Sequence, residues 1–205
     1  MNFDAVIRRC AQQAVAMQIE EHEKHDLAAL QAANHQEQAG RNGIVRGWLR
    51  YYGVFQGFFD SKRAEITDAL LMWSDARILK QGLDSSQAIV EAHSDLMATC
   101  VAQYGMSRDF TSLASKYLWL CYPTSVPLFD KNVRQALQVL SKLEDDIALP
   151  DANWPQYHQF VMVWKELYER HSKTLDEMDF DGYDYSVRIF DKILWLVGEN
   201  TYGLQ

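Results

Sequence analysis

Apolar residues in this chain recur at spacings of three and four, segment after segment, and nowhere alternate long enough to make a strand. Tyr157, Phe160, Val161, Trp164 and Leu167 form one such series. Val187, Phe190, Ile193, Leu194 and Val197 form a second, and Ile66, Leu70, Trp73 and Ile78 a third. A period near 3.6 gathers side chains on one face of a helix, whereas a half-buried strand needs a period of two. The spacing therefore predicts an all-α fold of about eight helices. At 205 residues and 48% hydrophobic content the chain can bury a substantial core. We read it as a single all-α domain over residues 1–205, with a helical annex over 1–40 and a core over 41–205.

The breaks between periodic stretches carry their own signals. Residues 3 to 38 read as one long helix or two shorter ones, with Val6, Cys10, Ala14, Met17 and Ile19 as a loose apolar face. Gly40, Asn42 and Gly43 are expected to end it. Asp60 or Ser61 restarts a helix that Gly82 closes. Asp84, with Gln87 three residues on, has the form of a capping box, and Gly105 closes the helix that follows. Glu144 to Pro150 is an acidic loop, and Asn153 with Pro155 opens the next helix. Asp176 to Tyr183 is a second carboxylate-rich loop, and Gly198 ends the last helix.

Charge and cysteine usage narrow the function classes. Lys and Arg number 20 against 28 Asp and Glu, a net charge of -8 and a pI near 5.2. Sequence-independent nucleic-acid affinity comes from cations neutralising phosphates, so any such role requires positive charge gathered on one face. Arg41, Arg46 and Arg50 form one cluster, and Arg108, Lys116, Lys131 and Arg134 another. No apolar run approaches a bilayer span, and MNFDAVIRRC lacks the basic-then-apolar order of a signal peptide. Cys10, Cys100 and Cys121 are scattered and read as reduced thiols of a cytoplasmic protein. His22 and His25, with Glu21 and Glu23, and the carboxylates Asp176, Glu177, Asp179, Asp181 and Asp184 match no metal motif, so no metal and no cofactor is implied.

The stretch from Thr111 to Leu140, TSLASKYLWLCYPTSVPLFDKNVRQALQVL, is the most informative. Thr111 or Ser112 can cap a helix running towards Cys121, with Leu113, Ala114, Tyr117 and Leu118 on its apolar face. Ser112, Lys116 and Trp119 occupy a neighbouring stripe. Pro123 ends the helix and Pro127 forbids helix ahead of a second start. Asp130 stands where that second helix needs its cap, before Val133, Ala136, Leu137 and Leu140. On these grounds alone Asp130 reads as a cap, Lys116 as a solvated lysine, and Trp119, Tyr122, Tyr51, Tyr52, Phe55 and Trp73 as core aromatics.

The run ASKYL…P…VPLFDKNVRQAL resembles the helix-hairpin-helix DNA glycosylases, in particular the 8-oxoguanine glycosylase type. In that family an active-site lysine lies on the helix after the hairpin, and an aspartate opens the next helix. Asp130 matches the aspartate. The family lysine lies nearer the position of Thr111 or Ser112, with Lys116 one turn further on the same face. Tyr104 to Phe110 stands where the family has a Gly-x-Gly turn. The resemblance implies a glycosylase-like helical bundle with a cleft. Its activity would be excision of a damaged or modified base, in DNA repair or in defence against modified phage DNA. Asp130 would be the catalytic carboxylate and Lys116 a nucleophile or phosphate ligand. Arg46, Arg50, Ser107, Arg108, Ser112, Lys131 and Arg134 would meet the DNA. Tyr51, Tyr52, Trp73, Trp119 and Tyr122 would form the base pocket, since a base must leave the stack to be excised. The rival expectation is a non-catalytic acidic helical module that binds a protein partner through residues 3–38.

Overall fold

A computed structural model of the chain describes residues 3–25, 38–77, 83–105, 109–140, 157–178 and 186–200. Among the described residues every regular element is a helix: α1 (Phe3–His25), α2 (Gln38–Tyr51), α3 (Asp60–Arg77), α4 (Ser86–Tyr104), α5 (Thr111–Cys121), α6 (Lys131–Leu140), α7 (Tyr157–Asp176) and α8 (Ser186–Asn200). None is long and apolar enough to cross a membrane. The expected boundaries at Gly82, at 144–150 and at Asn153 and Pro155 lie outside the described residues, as does most of the 176–183 loop. The chain divides into two compact units, residues 1–20 with 123–205, and residues 21–122.

The unit formed by 21–122 contains α2 to α5. Gly40, Asn42 and Gly43 do not break the chain; all three lie inside α2. The reason is tertiary. The Asn42 side chain is buried and its Nδ2 donates to the carbonyl of Ala64 (3.0 Å) and to Asp68 Oδ1 (2.8 Å) on α3. Arg41 adds a two-pronged ion pair to Asp75, with contacts of 2.9 and 2.7 Å. That fork geometry is the strong form of a carboxylate bridge, and it holds the Asp75 carboxyl below its ordinary range. α2 ends in a turn at residues 52–57, where Gly53 and Gly57 take positive φ of 70° and 76°, values an L side chain rarely adopts.

α4 starts one residue later than the expected capping box. Ser85, not Asp84, is its cap, and its Oγ accepts from the amide of Ala88 at 3.1 Å. Gly105 ends α4 as expected, with φ 100° and its N–H donating to the Val101 carbonyl. α5 takes no cap from Thr111 or Ser112, because helix geometry begins at Thr111 itself; Asp109 Oδ1 accepts from the Thr111 amide at 2.8 Å instead. α5 is buried on nearly every side, since Leu113, Ala114, Ser115, Tyr117, Leu118, Trp119 and Leu120 are all enclosed. The Tyr117 hydroxyl donates to Ser74 Oγ at 2.9 Å, tying α5 to α3. Phe58, Tyr104 and Phe110 pack edge to face around the start of α5.

The unit formed by 1–20 and 123–205 contains the first part of α1 with α6, α7 and α8. The buried face of α1 is Phe3, Val6, Ile7, Ala11, Ala14 and Val15, turned slightly from the face expected. Asp4 docks it: one carboxylate oxygen accepts from Thr174 Oγ1 (2.6 Å) and meets His171 Nδ1 (2.9 Å), both on α7. α6 packs chiefly against α8, burying Val133, Ala136, Leu137 and Leu140. α8 continues past Gly198 to Asn200, so Gly198 is not a terminator. A Cβ there would stand 1.9 Å from the Asn132 carbonyl oxygen; the glycine lets the two backbones touch.

Candidate functional site

The Thr111 to Leu140 stretch forms helix, irregular loop and helix. Its loop is fastened from below. Asp191 of α8 is buried, and its two oxygens accept from the Leu128 amide (2.9 Å) and from the indole nitrogen of Trp164 on α7 (2.8 Å). Two residues on, Asp130 caps α6. Its Oδ1 accepts from the Asn132 amide at 2.9 Å, and its carbonyl accepts the first helical bond from Arg134 at 3.0 Å. This is the arrangement that satisfies a free donor of a first helical turn, worth about 1 kcal/mol. Asp130 is half-buried. The Arg134 guanidinium lies over the Phe129 ring, 4.9 Å from the centroid. Lys131 is exposed.

Lys116 is half-buried on α5. Its ammonium donates to the backbone carbonyl of Tyr52 at 3.1 Å. Around it stands a cluster of rings. Trp48 and Tyr52 have centroids 4.4 Å apart, Tyr52 and Trp119 5.4 Å, and Tyr51 and Tyr52 5.1 Å. Tyr51 is 53% exposed, whereas Trp119 is 1% exposed and part of the core. The structure thus brings Lys116, Tyr51, Tyr52 and Trp119 together. Trp73 stands elsewhere, buried with its indole donating to Asp95 on α4 at 3.1 Å. Tyr122 is buried as the residue closing α5. Ser112 is exposed. Ser107 and Arg108 lie outside the described residues, as do the side chains of Glu21, His22, Glu23 and His25. Among the described residues no group of His, Cys, Asp and Glu could hold a metal ion.

Arg46 and Arg50 converge on a cleft that local sequence does not reveal. It encloses about 450 Å³ and is lined by Gly43, Arg46, Gly47, Arg50, Phe55, Asp60 and Arg63. The α2 contribution, positions 43, 46, 47 and 50, follows the i, i+3, i+4, i+7 rule for one helix face. That stripe is readable in the sequence, but Gly40, Asn42 and Gly43 point to a chain break and hide it. Asp60 and Arg63 join it only through the packing of α3 on α2. Arg63 Nη1 donates to Asp60 Oδ1 at 2.8 Å. Each interior glycine costs about 1 kcal/mol of helix stability relative to alanine, and at Gly43 and Gly47 a Cβ would meet nothing within 4 Å. Packing does not require either one.

Two further groups in the 21–122 unit bear on its electrostatics. His93 is buried on α4 with Nε2 3.2 Å from the Thr111 carbonyl, so the ring donates there. Burial pushes its pKa down to about 4. Asp109 is held below the ordinary carboxylate range by the hydrogen bonds it accepts from Thr111. The three cysteines are free thiols, and burial pushes Cys100 and Cys121 up to about 12, far from the range of a reactive thiolate.

Comparison of the chain with protein-family models, with curated proteins and with solved structures returned no match.

Proposed function

We propose that this chain is a DNA glycosylase of the helix-hairpin-helix type, releasing a damaged or modified base flipped from DNA. The observation that carries the reading is the capped aspartate. Asp130 opens α6 after a proline-bearing loop, as the resemblance of ASKYL…P…VPLFDKNVRQAL implies, and its cap bond fixes the carboxylate group. A fixed negative charge beside the sugar C1′ stabilises the oxocarbenium-like cation that forms as the base departs. It also orients the attacking water or amine. Two other features support the reading. Lys116 is half-buried with its ammonium at the backbone carbonyl of Tyr52, whose ring packs against the exposed ring of Tyr51. Arg46 and Arg50 supply exposed positive charge in an otherwise acidic chain.

The substrate class is a modified base in DNA, oxidised guanine or a phage modification. The test is a base-release assay on duplexes carrying oxidised, alkylated, deaminated and phage-modified bases, followed by alkali. Wild type is expected to leave abasic sites on one class, and Asp130→Asn on none while remaining folded. A borohydride-trapped adduct lost in Lys116→Ala would make the lysine a nucleophile. Full activity in Asp130→Asn would sink the assignment. The net charge of -8 favours one rival, a non-catalytic module that binds a protein. No release from any duplex, together with no retention of DNA at low salt, would select it.

A further inference from the structure

We infer that the cleft between α2 and the start of α3 is a binding site for the phosphodiester backbone of a nucleic-acid strand, with Arg46, Arg50 and Arg63 as its phosphate ligands. The inference deepens the proposal above, from which it takes nucleic acid as the polyanion, and it adds a site, a ligand set and a mode of recognition.

Charge is the first ground. The lining holds three guanidinium groups and one carboxylate, Asp60, in a chain whose net charge is -8. Asp60 is committed to Arg63. Arg46 and Arg50 have no carboxylate partner among the described residues, while Arg8, Arg41 and Arg170 are each paired with one. Like charges gathered in one concavity repel unless an anion sits between them.

Chemistry is the second ground. All the cations are arginines. The planar guanidinium fork matches two oxygens of a phosphate, which a lysine ammonium does not reproduce, and it stays charged at any physiological pH.

Shape is the third. Gly43 and Gly47 leave the floor of the cleft bare between the arginines, where any side chain would stand in open space. A phosphate can then come down to the helix surface within reach of Arg46 and Arg50 together. The cleft falls within the usual range for ligand sites, about 300–1,000 Å³. The one ring in its lining, Phe55, is 2% exposed and offers no face for a base. The exposed rings nearby are Tyr51, next in sequence to Arg50, and Phe59, next to Asp60, both absent from the lining. Phosphates in the cleft with bases turned out towards an aromatic is the usual division in strand binding, and it argues for a strand over a free nucleotide.

The experiment is fluorescence anisotropy with the full chain, a labelled single strand and a labelled duplex of mixed sequence, at a series of salt concentrations. Inorganic phosphate, pyrophosphate and ATP serve as competitors. The double variant Arg46→Ala/Arg50→Ala removes two exposed side chains and keeps the circular dichroism of wild type. It is expected to weaken oligonucleotide binding on the order of tenfold or more. It should also flatten the slope of log K against log salt by roughly two, because each phosphate contact contributes about one. Gly47→Glu, which puts a carboxylate on the floor, is expected to weaken binding as much. Unchanged affinity and slope in the double variant would overturn the site. Binding of ATP with no retention of either oligonucleotide would overturn the strand assignment. The two proposals fail separately. Base release with unaltered DNA binding in the arginine variants sinks the cleft alone. Arginine-dependent binding without base release from any substrate sinks the glycosylase alone.

Discussion

Gly198→Ala adds one methyl group and should be among the most damaging small changes in the molecule. The Cβ would stand 1.9 Å from the Asn132 carbonyl oxygen, 2.5 Å from its carbon and 2.9 Å from its Cα. All three neighbours are backbone, so no side chain can swing aside. Ordinary contact begins near 3.4 Å, so the backbones of α6 and α8 must part by about 1.5 Å at this point. Overpacking of this kind costs about 1–3 kcal/mol and occasionally more. The separation also opens the seam where α6 buries Val133, Ala136 and Leu137, which places the cost at the upper end. Alanine's better helix propensity returns about 1 kcal/mol. The net expectation is a loss of about 2 kcal/mol or more, seen in urea as a midpoint lowered by on the order of 1 M. Gly47→Ala is the internal control. It makes the same chemical change where nothing lies within 4 Å, and it should stabilise by about 0.5–1 kcal/mol. If Gly198→Ala were as stable as wild type, the backbone contact between α6 and α8 would not exist as described. A second readout follows from position. The amide of Asn132 is the donor that Asp130 caps, so under the glycosylase proposal any Gly198→Ala protein that folds should lose base release beyond its loss of folded population.

Asp191→Asn leaves an amide facing two N–H donors, from Leu128 and Trp164, of which it can accept only one well. An expected loss of about 2–3 kcal/mol, with a changed Trp164 emission in the native state, is read by urea titration followed by fluorescence; wild-type stability would count against the double acceptor role. His93 makes stability pH-dependent. Its ring is held neutral, with a pKa of about 4 against 6.5 when unfolded, so its contribution is whole above pH 6.5 and is lost as pH falls towards 4. The depression amounts to on the order of 3 kcal/mol, and in His93→Gln the drop in urea midpoint between pH 7 and pH 4.5 should shrink accordingly; equal drops in the two proteins would refute it. Asp130→Ala should cost about 1 kcal/mol as a lost helix cap whatever its catalytic role, measured by the same titration.

The elements most legible in the sequence are those whose ends carry local chemistry. The start of α6 follows from Asp130 after Pro127, and the end of α4 from Gly105, because proline, an aspartate cap and a left-handed glycine act within a few residues. The two misread glycine sites share one cause. Gly40 and Gly43 have the form of a break, but Asn42 is bonded to α3, and that partner is distant in sequence. Gly198 has the form of a terminator, but its role is set by Asn132 on another helix. Burial shows the same limit. The period of α5 reveals an apolar face, yet Trp119, on the stripe beside it, is as enclosed as the face itself. On α8, Arg188, Asp191 and Lys192 lie outside the apolar series, yet all three are buried. Of the candidate site, the cap at Asp130 could be read directly, and the arginine spacing on α2 only once the glycines there are taken as helical. The contribution of Asp60 and Arg63 to the cleft, and the placing of Lys116 against the Tyr52 carbonyl, depend on helix packing that no local pattern encodes.

The Asp4 contacts have a consequence for how the chain is made. α1 leaves the ribosome ahead of residues 21–122, yet the groups that receive it, His171 and Thr174 on α7 and Phe190 on α8, leave after them. Residues 21–122 form a complete packing unit between them and can acquire structure during synthesis, as contiguous units generally do. The apolar stripe from Phe3 to Val15 must meanwhile wait in solution for its partners. During that interval it is a hydrophobic helix face without a mate, and therefore the segment on which a nascent-chain chaperone would act. Slowed release of α7 and α8 should raise aggregation through α1 and leave the 21–122 unit intact to limited proteolysis.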